Sequence, residues 1–250
     1  MLLRDRILIT GVSSGLGKYL HSQIPNSIGI DRANRDVIIE GLKNTHTDLI
    51  IHCAFNTSRS ITDYYQYLDD NILLTQQLCR LPHYKFIYIS SIDIYDKREY
   101  NYKTFKLSSE ALIRREANNC LIFRCGALVG PTMRPNNFFK LVMSTDNDPI
   151  LSLSPQSTFN FVAYKDLLRA IEETLNKNIT GTYDMVSQNN VSLEGSVIHS
   201  FNNSTDRNIS LSHTGMVSSV TAESKTAKNG LFSTGLDGKH YLITFTQNIS

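Results

Sequence analysis

Two residues capable of acid–base chemistry, Tyr102 and Lys106, stand four positions apart in a stretch of helical character. Side chains at this spacing share one face of a helix, so the ammonium group would lie near the phenol. A phenol with a pKa of about 10 is a poor acid–base group at neutral pH, but a neighbouring cation favours the phenolate. Tyr102 would then exchange a proton with a substrate hydroxyl or carbonyl group. Ser91, at the end of the preceding predicted strand, is placed to hydrogen-bond the same substrate oxygen.

A glycine-rich turn follows the first predicted strand and opens the first predicted helix. In a dinucleotide-binding fold its first glycine permits the tight turn, the second lets the backbone approach a pyrophosphate, and the third lets helix and strand pack closely. The start of the helix adds N–H groups and a favourable dipole for phosphate. The residues of this turn that are predicted to contact a dinucleotide are Gly11, Ser13, Ser14, Gly15, Leu16 and Gly17.

An acidic residue, Asp31, ends the second predicted strand, at the position where a carboxylate accepts hydrogen bonds from an adenosine ribose. That carboxylate would repel a 2′-phosphate, which favours NAD over NADP. Arg32 stands next to it and could stack on adenine or pair with such a phosphate, so NADP stays open. Together with Tyr102 and Lys106, these residues predict hydride transfer between a nicotinamide cofactor and a substrate.

Short apolar runs alternate with longer segments of helical period, which is typical of βα units around a parallel sheet. The predicted strands are Arg6–Thr10, Ser27–Asp31, Asp48–Ala54, Tyr84–Ser90, Cys120–Cys125 and Thr182–Val186, and the predicted helices are Gly15–Gln23, Thr62–Arg80, Asn101–Asn118 and Lys165–Leu175. We therefore expect an α/β fold with a Rossmann-type doubly wound parallel sheet and ligands at the carboxyl ends of its strands. We expect residues 1–187 to form the dinucleotide-binding domain. Residues 188–250, with a contribution from 133–160, should form a small carboxyl-terminal substrate-binding lobe.

Composition excludes several other classes of protein. The 25 basic and 23 acidic residues are spread along the chain, so no basic stripe for nucleic acid is present. The chain shows neither a signal peptide nor the run of about 18 apolar residues that a membrane span needs, which predicts a cytoplasmic protein. The cysteines stand singly in apolar segments, as reduced thiols rather than disulfides or metal ligands, at Cys53, Cys79, Cys120 and Cys125.

These motifs resemble the short-chain dehydrogenase/reductase superfamily, and within it the extended branch of NAD-dependent nucleotide-sugar epimerases, dehydratases and 4-keto-sugar reductases. The resemblance extends over roughly residues 6–186. Its clearest part is the stretch Tyr102–Glu110, which matches the branch's Tyr-x-x-x-Lys-Leu-x-x-Glu pattern. The other segments that carry the resemblance are Asp48–Ala54, Asp70–Thr75, Ser90–Tyr95, Phe123–Pro131 and Phe161–Leu167.

The resemblance implies further cofactor contacts and a substrate class. It assigns Cys53 and Ala54 to the cofactor-facing end of a strand, and Asn71 to a helix position that supports the active site. Asp36 and Val37 correspond to an acidic–hydrophobic pair that contacts adenine. It also implies a nucleotide-linked sugar as substrate, converted by 4-keto reduction or C4 epimerisation. Helix-mediated homodimers are common in this family, although no dimer follows from these residues.

Departures from the family pattern keep other functions open. Ser14 stands where the extended branch usually has glycine, and this spacing is more typical of the shorter, single-domain branch. Only sixteen residues separate Asp31 from Asp48, so the third βα unit must be compressed. Ile92 replaces an acidic residue of the 4,6-dehydratases and cannot move a proton, which disfavours that reaction. The alternatives are a short-chain alcohol or ketone dehydrogenase with a non-sugar substrate, and a catalytically silent NAD(P)-binding regulatory protein.

Overall fold

The computed structural model describes residues 6–57, 64–134, 158–187, 191–192, 231–236 and 239–247. The strands are β1 (Ile7–Thr10), β2 (Ile28–Ile30), β3 (Thr47–His52), β4 (His83–Ser91), β5 (Cys120–Cys125), β6 (Ala127–Val129), β7 (Thr158–Phe159), β8 (Phe161–Ala163), β9 (Gly181–Ser187), β10 (Val191–Ser192), β11 (Leu231–Leu236) and β12 (Lys239–Gln247). The helices are α1 (Gly15–Gln23), α2 (Arg35–Leu42), α3 (Tyr64–Leu68), α4 (Leu74–Arg80), α5 (Asn101–Glu116) and α6 (Tyr164–Asn176). A π-helical turn (Asp69–Leu73) joins α3 to α4, and a 3₁₀ turn (Ile92–Tyr95) follows β4.

Within the described ranges, the main sheet has eight strands in the order β11–β12–β9–β5–β4–β3–β1–β2. In this sheet β2, β1, β3, β4, β5 and β9 run parallel, whereas β12 pairs antiparallel with β9 and β11 pairs antiparallel with β12. The predicted Rossmann-type parallel sheet is confirmed, and all six predicted strands belong to it. No helix in these ranges is both long and apolar enough to cross a membrane.

Both faces of the sheet are covered by helices, which explains why its central strands are almost continuously apolar. All four residues of β1 are buried. Successive side chains of a strand point to opposite faces, so each strand enters two cores. Ile9 belongs to the core beneath α1 and α6, whereas its neighbour Leu8 belongs to the core beneath α2, α4 and α5.

The structure differs from the sequence-based expectation on the β2 side of the sheet. Dinucleotide-binding sheets commonly have the strand order 3-2-1-4-5-6. Here α2, which the periodicity did not predict, leads directly from β2 into β3, and β3 pairs with β1. The compressed third βα unit is thus a helix without an outer strand in the described ranges. The helix expected over Thr62–Arg80 contains the π-helical turn, and the expected substrate lobe falls largely on residues 135–157 and 193–230, outside the described residues.

Candidate active site

An open cleft runs along the carboxyl ends of β1, β2 and β3, where a parallel sheet of this type binds ligands. Five of the residues predicted from sequence to contact a cofactor line it, namely Gly11, Ser13, Asp31, Arg32 and Ala54. Sequence reasoning did not assign to the cofactor the other lining residues, among which are Arg35, Phe55, Asn56, Asp70 and Arg134. The structure therefore brings the predicted glycine turn, the predicted acidic residue and the end of β3 to one place.

The glycine turn is shaped for close backbone approach. Gly15 has a φ of +61°, a left-handed conformation that side chains rarely adopt. A Cβ on Gly17 would lie 2.5 Å from the carbonyl oxygen of Gly11, so only glycine lets α1 start this close to β1. The N–H groups of the first helical turn have no partner inside the helix and point toward the cleft end of α1. This cradle fits the pyrophosphate of a dinucleotide.

The segment after β6 closes over the glycine turn. The Gly15 N–H donates to the Thr132 carbonyl oxygen at 2.8 Å, and the Thr132 hydroxyl donates back to the Gly15 carbonyl oxygen at 2.7 Å. The Gly15 N–H is thus already bonded within the chain, and the N–H groups that follow it are the ones left for a phosphate. Arg134 donates to the Ser14 hydroxyl at 2.8 Å, which holds a guanidinium group beside the turn. In the sequence, Arg134 could have been found from its position three residues after Pro131, the end of a segment that carries the family resemblance.

A buried hydrogen-bond chain fixes the end of β3 against β1. The Thr75 hydroxyl donates its one hydrogen bond to the Asn71 carbonyl oxygen at 2.6 Å. Its oxygen must therefore accept a hydrogen bond from His52 Nε2 at 2.9 Å. His52 Nδ1 then accepts from the Thr10 hydroxyl at 2.8 Å, and the Thr10 oxygen accepts from the N–H groups of the next two residues after His52. Burial, followed by the nearby Lys106, lowers the pKa of His52 to about 3, so the ring is neutral.

That chain leads to the predicted positioning residue Asn71. Its side-chain oxygen accepts from the Asn56 N–H at 2.7 Å, and its amide group donates to the Asn56 carbonyl oxygen at 3.1 Å. Its own carbonyl oxygen also accepts from the Ser109 hydroxyl on α5 at 3.1 Å. Asn71 therefore ties the loop after β3 to the helix that carries Tyr102 and Lys106.

The three predicted catalytic residues lie at the carboxyl end of β4 and on α5. The Ser91 hydroxyl lies near enough to the Tyr102 phenol to lower the pKa of that phenol. Lys106 Nζ donates to the Ile89 carbonyl oxygen at 2.8 Å and lies 5.9 Å from the centroid of the Tyr102 ring. The ring of Phe55 covers Lys106 Nζ at 4.0 Å and meets the Tyr102 ring edge-on at 5.1 Å. A cleft residue thus connects the cofactor side of the site to the catalytic side.

Burial dominates the titration of these groups. It raises the pKa of Tyr102, and the hydroxyl of Ser91 acts in the opposite direction. Burial also lowers the pKa of Lys106 to about 7. Lys106 can therefore stabilise the phenolate only where its amine is protonated near neutral pH. That role stays a prediction.

The predicted adenine-contacting pair lies apart from the cleft. Asp36 and Val37 occupy the first turn of α2, where both are exposed, and neither is among the residues that line the cleft. The reason is that the pair begins α2, which in the described ranges leads from β2 straight into β3 and leaves both side chains on its exposed side. The side chain of Leu16 packs in the core, so only its backbone is available to a ligand.

A buried ion pair anchors α5 to the sheet behind the catalytic residues. Glu110 accepts from the Ser90 hydroxyl at 2.7 Å and from Arg124 Nη2 at 2.7 Å, and its side chain is fully buried. Arg124 also donates to the Tyr95 hydroxyl at 2.7 Å. These bonds fix the position of α5 relative to β4 and β5, and so the distance between Tyr102 and Ser91.

Comparisons with known proteins agree with this architecture. The sequence profile of the NAD dependent epimerase/dehydratase family matches residues 7–183, whereas no functionally curated protein matches the sequence. The solved UDP-glucuronic acid 4-epimerase from Bacillus cereus, in complex with UDP-glucuronic acid and NAD, is 20% identical, with a TM-score of 0.66 over 79% of this chain and 82% of that chain.

Two solved reductases are also similar in fold. The dTDP-4-dehydrorhamnose reductase from Clostridium acetobutylicum is 17% identical, with a TM-score of 0.62 over 79% of each chain. The enzyme of the same name from Bacillus anthracis, in complex with NADP, is 17% identical, with a TM-score of 0.66 over 80% of each chain. Because the family profile spans most of its length, this chain belongs to the NAD dependent epimerase/dehydratase family.

Proposed function

We propose that this protein is an NAD(P)-dependent oxidoreductase or epimerase that acts on a nucleotide-linked sugar, by 4-keto-sugar reduction or C4 epimerisation. One observation carries the proposal: a glycine-turn cleft with an acidic residue at its ribose end shares Phe55 with the predicted catalytic group, because the Phe55 ring lines the cleft and contacts both Lys106 Nζ and the Tyr102 ring. Such a juxtaposition of a dinucleotide cradle and a proton-transfer group suits oxidation and reduction at a carbon that bears a hydroxyl group.

Different residues of the chain would bind the cofactor and transfer the proton. The first turn of α1 and Arg134 would hold the pyrophosphate, and Asp31 would accept hydrogen bonds from the adenosine ribose. When bound, the nicotinamide would supply or accept hydride. Tyr102 would give a proton to the substrate oxygen, or take one from it, while Ser91 aligns that oxygen.

Lys106 would act through its charge. Its ammonium group lies 5.9 Å from the centroid of the Tyr102 ring, where it would favour the phenolate, and it is held by the Ile89 carbonyl oxygen and covered by Phe55. Burial of the phenol opposes ionisation, so proton transfer from Tyr102 needs this charge and the hydroxyl of Ser91. All the catalytic groups sit on β4 and α5, which are rigidly connected through Glu110.

The nucleotide-sugar substrate is supported by family membership and by the similar structures, which are a UDP-glucuronic acid 4-epimerase and a dTDP-4-dehydrorhamnose reductase. We also propose that the protein is cytoplasmic. Its four cysteines all have free thiols, which suits a reducing compartment. A homodimer stays a prediction.

The test of the active site is the substitution Tyr102→Phe. It removes only the hydroxyl group, so NADH binding and folding should persist while turnover falls by roughly a hundredfold or more, the scale of general acid–base catalysis. Turnover is measured by NAD(P)H absorbance with 4-keto nucleotide sugars, and by product analysis for an epimerase without net cofactor turnover.

Tyr100→Phe is the matched control. Its ring stacks beside that of Tyr102 at 6.4 Å, but its hydroxyl donates to the Asp93 carbonyl oxygen, so the same change there should leave turnover nearly intact. Wild-type turnover by Tyr102→Phe would contradict the active-site assignment. A thermal-shift panel of NAD, NADP and UDP-, GDP- and dTDP-sugars tests the substrate class, because a ligand of the native state raises its apparent stability.

A further inference from the structure

Two arginines beside the ribose end of the cleft resemble ligands for a 2′-phosphate, but both are already paired. Arg32 Nη2 donates to Asp70 at 2.6 Å, and Arg35 Nη1 approaches the other oxygen of Asp70 at 3.5 Å. Arg35 Nη2 also pairs with Asp69. The sequence alone left open whether Arg32 stacks on adenine or pairs with such a phosphate, and the structure shows it bound to Asp70.

Asp70 is held so that it cannot easily release these cations. Its side chain is only 10% exposed, and it also accepts from Asn56 Nδ2 at 2.9 Å and from Gln66 Nε2 at 3.0 Å. It precedes Asn71 in the π-helical turn, where an i→i+5 pattern places more residues in each turn than an α-helix does. Asp69 and Asp70 thereby both reach across the cleft to α2 and the loop before it.

The charges around this end of the cleft do not favour a second phosphate. Arg32 and Arg35 supply two positive charges, whereas Asp69 and Asp70 supply two negative charges in direct contact with them. Asp31 adds a further carboxylate on the cleft wall. Its Oδ1 accepts from the Ala33 N–H at 2.9 Å, and this bond fixes the carboxylate at the end of β2. A 2′-phosphate would meet a net negative surface and would have to compete with Asp70 for Arg32, whose side chain is 66% exposed.

We propose that Asp70 is a positioning residue that sets cofactor preference, because it holds Arg32 and Arg35 away from the 2′ position and so selects NAD over NADP. The inference rests on the proposed function, since it concerns the cofactor of the same cleft. Asp70 acts through the arginines and contacts neither the substrate nor the reacting atoms. Asp31 alone is therefore not the determinant, because its removal would leave Arg32 bound to Asp70.

The decisive experiment measures the dissociation constants of NADH and NADPH for the full chain by fluorescence titration. Wild type should bind NADH more tightly than NADPH. Asp70→Asn keeps the shape of the side chain but removes its charge, so Arg32 becomes available to phosphate, whereas Arg35 keeps its pair with Asp69. The ratio of the NADPH constant to the NADH constant should fall on the order of tenfold or more, through tighter NADPH binding, as expected for charge-assisted hydrogen bonds to phosphate.

A control and a second substitution separate this role from a merely structural one. Glu40→Gln removes one negative charge from α2, where Glu40 pairs only with the exposed Lys43 among the described residues, and it should leave the ratio unchanged. Arg32→Ala should change the ratio little in the wild-type background but should abolish the gain made by Asp70→Asn. A structural defect would weaken both cofactors together and could not produce this dependence on Arg32.

Several results would overturn the inference. An unchanged ratio in Asp70→Asn, with or without equal weakening of both cofactors, contradicts the role of Asp70. Wild type that binds NADPH more tightly than NADH would also contradict the role of Asp70. If Asp70→Asn does not fold, Arg32→Ala decides alone, because a tenfold loss of NADPH binding in that variant would show that Arg32 already serves the phosphate. Wild type that binds neither cofactor refutes the proposed function itself, and the inference with it.

Discussion

Replacing Glu110 by Gln should destabilise the protein far more than the loss of an ordinary ion pair. The glutamine keeps the shape of the side chain but not its charge, and Glu110 is fully buried between Ser90 and Arg124. Arg124 is only 11% exposed, so it would face a neutral amide with little access to water. Breaking a buried pair by removing one partner costs about 3–5 kcal/mol. Arg114, which is 43% exposed, can turn to solvent and adds little.

The measurement is urea unfolding of the full chain at neutral pH, with Glu173→Gln as the matched control. Glu173 pairs with Lys177 four residues along the chain, as Glu110 does with Arg114, but both members of this pair are about half exposed. The control should therefore lose only about 0.3–0.5 kcal/mol. A loss of under about 1 kcal/mol in Glu110→Gln, close to that of the control, would refute the argument from burial.

The pH dependence of the difference in stability between wild type and Glu110→Gln gives an independent check. Glu110 is desolvated, but its bonds to Arg124 and Ser90 outweigh this and lower its pKa in the folded state. A carboxyl group with a depressed folded pKa stabilises the protein fully above its unfolded pKa of about 4.3. That contribution is lost as the pH falls through the folded value. The stability gap between wild type and Glu110→Gln should thus be constant near neutrality and shrink in acid.

Two further predictions concern the catalytic and cofactor sides of the site. Lys106→Met should lower turnover and remove an ionisation near pH 7 from the pH–rate profile, since burial brings the pKa of Lys106 to about 7; an unchanged profile would show that Lys106 does not act through its charge. Gly17→Ala should cost about 1–3 kcal/mol in urea unfolding and weaken NADH binding, because the new Cβ would lie 2.5 Å from a backbone oxygen. Gly41→Ala on α2 is its control, since no atom lies within 4 Å of the added Cβ there, and equal losses in the two variants would contradict the packing argument.

The sequence was sufficient for those features that depend on local pattern. Buried parallel strands must be apolar on both faces, so runs such as Ile7–Thr10 were recognisable, as were the helical segments between them. The glycine turn was equally readable, because only glycine fits the left-handed Gly15 and the crowded Gly17. The four-residue spacing of Tyr102 and Lys106 placed both on one helix, and α5 (Asn101–Glu116) confirms that placement.

Tertiary structure decided what depends on residues far apart in the chain. The short helix α2 has only two buried side chains, Ile39 and Leu42, so its period was too weak to predict it. The salt bridge from Arg32 to Asp70 joins residues 38 positions apart, and Phe55 covers Lys106 from the loop after β3. Spacing along the chain carries no information about such contacts, because strand pairing and helix packing bring these groups together. They nevertheless determine which charges in the cleft are free to meet a cofactor.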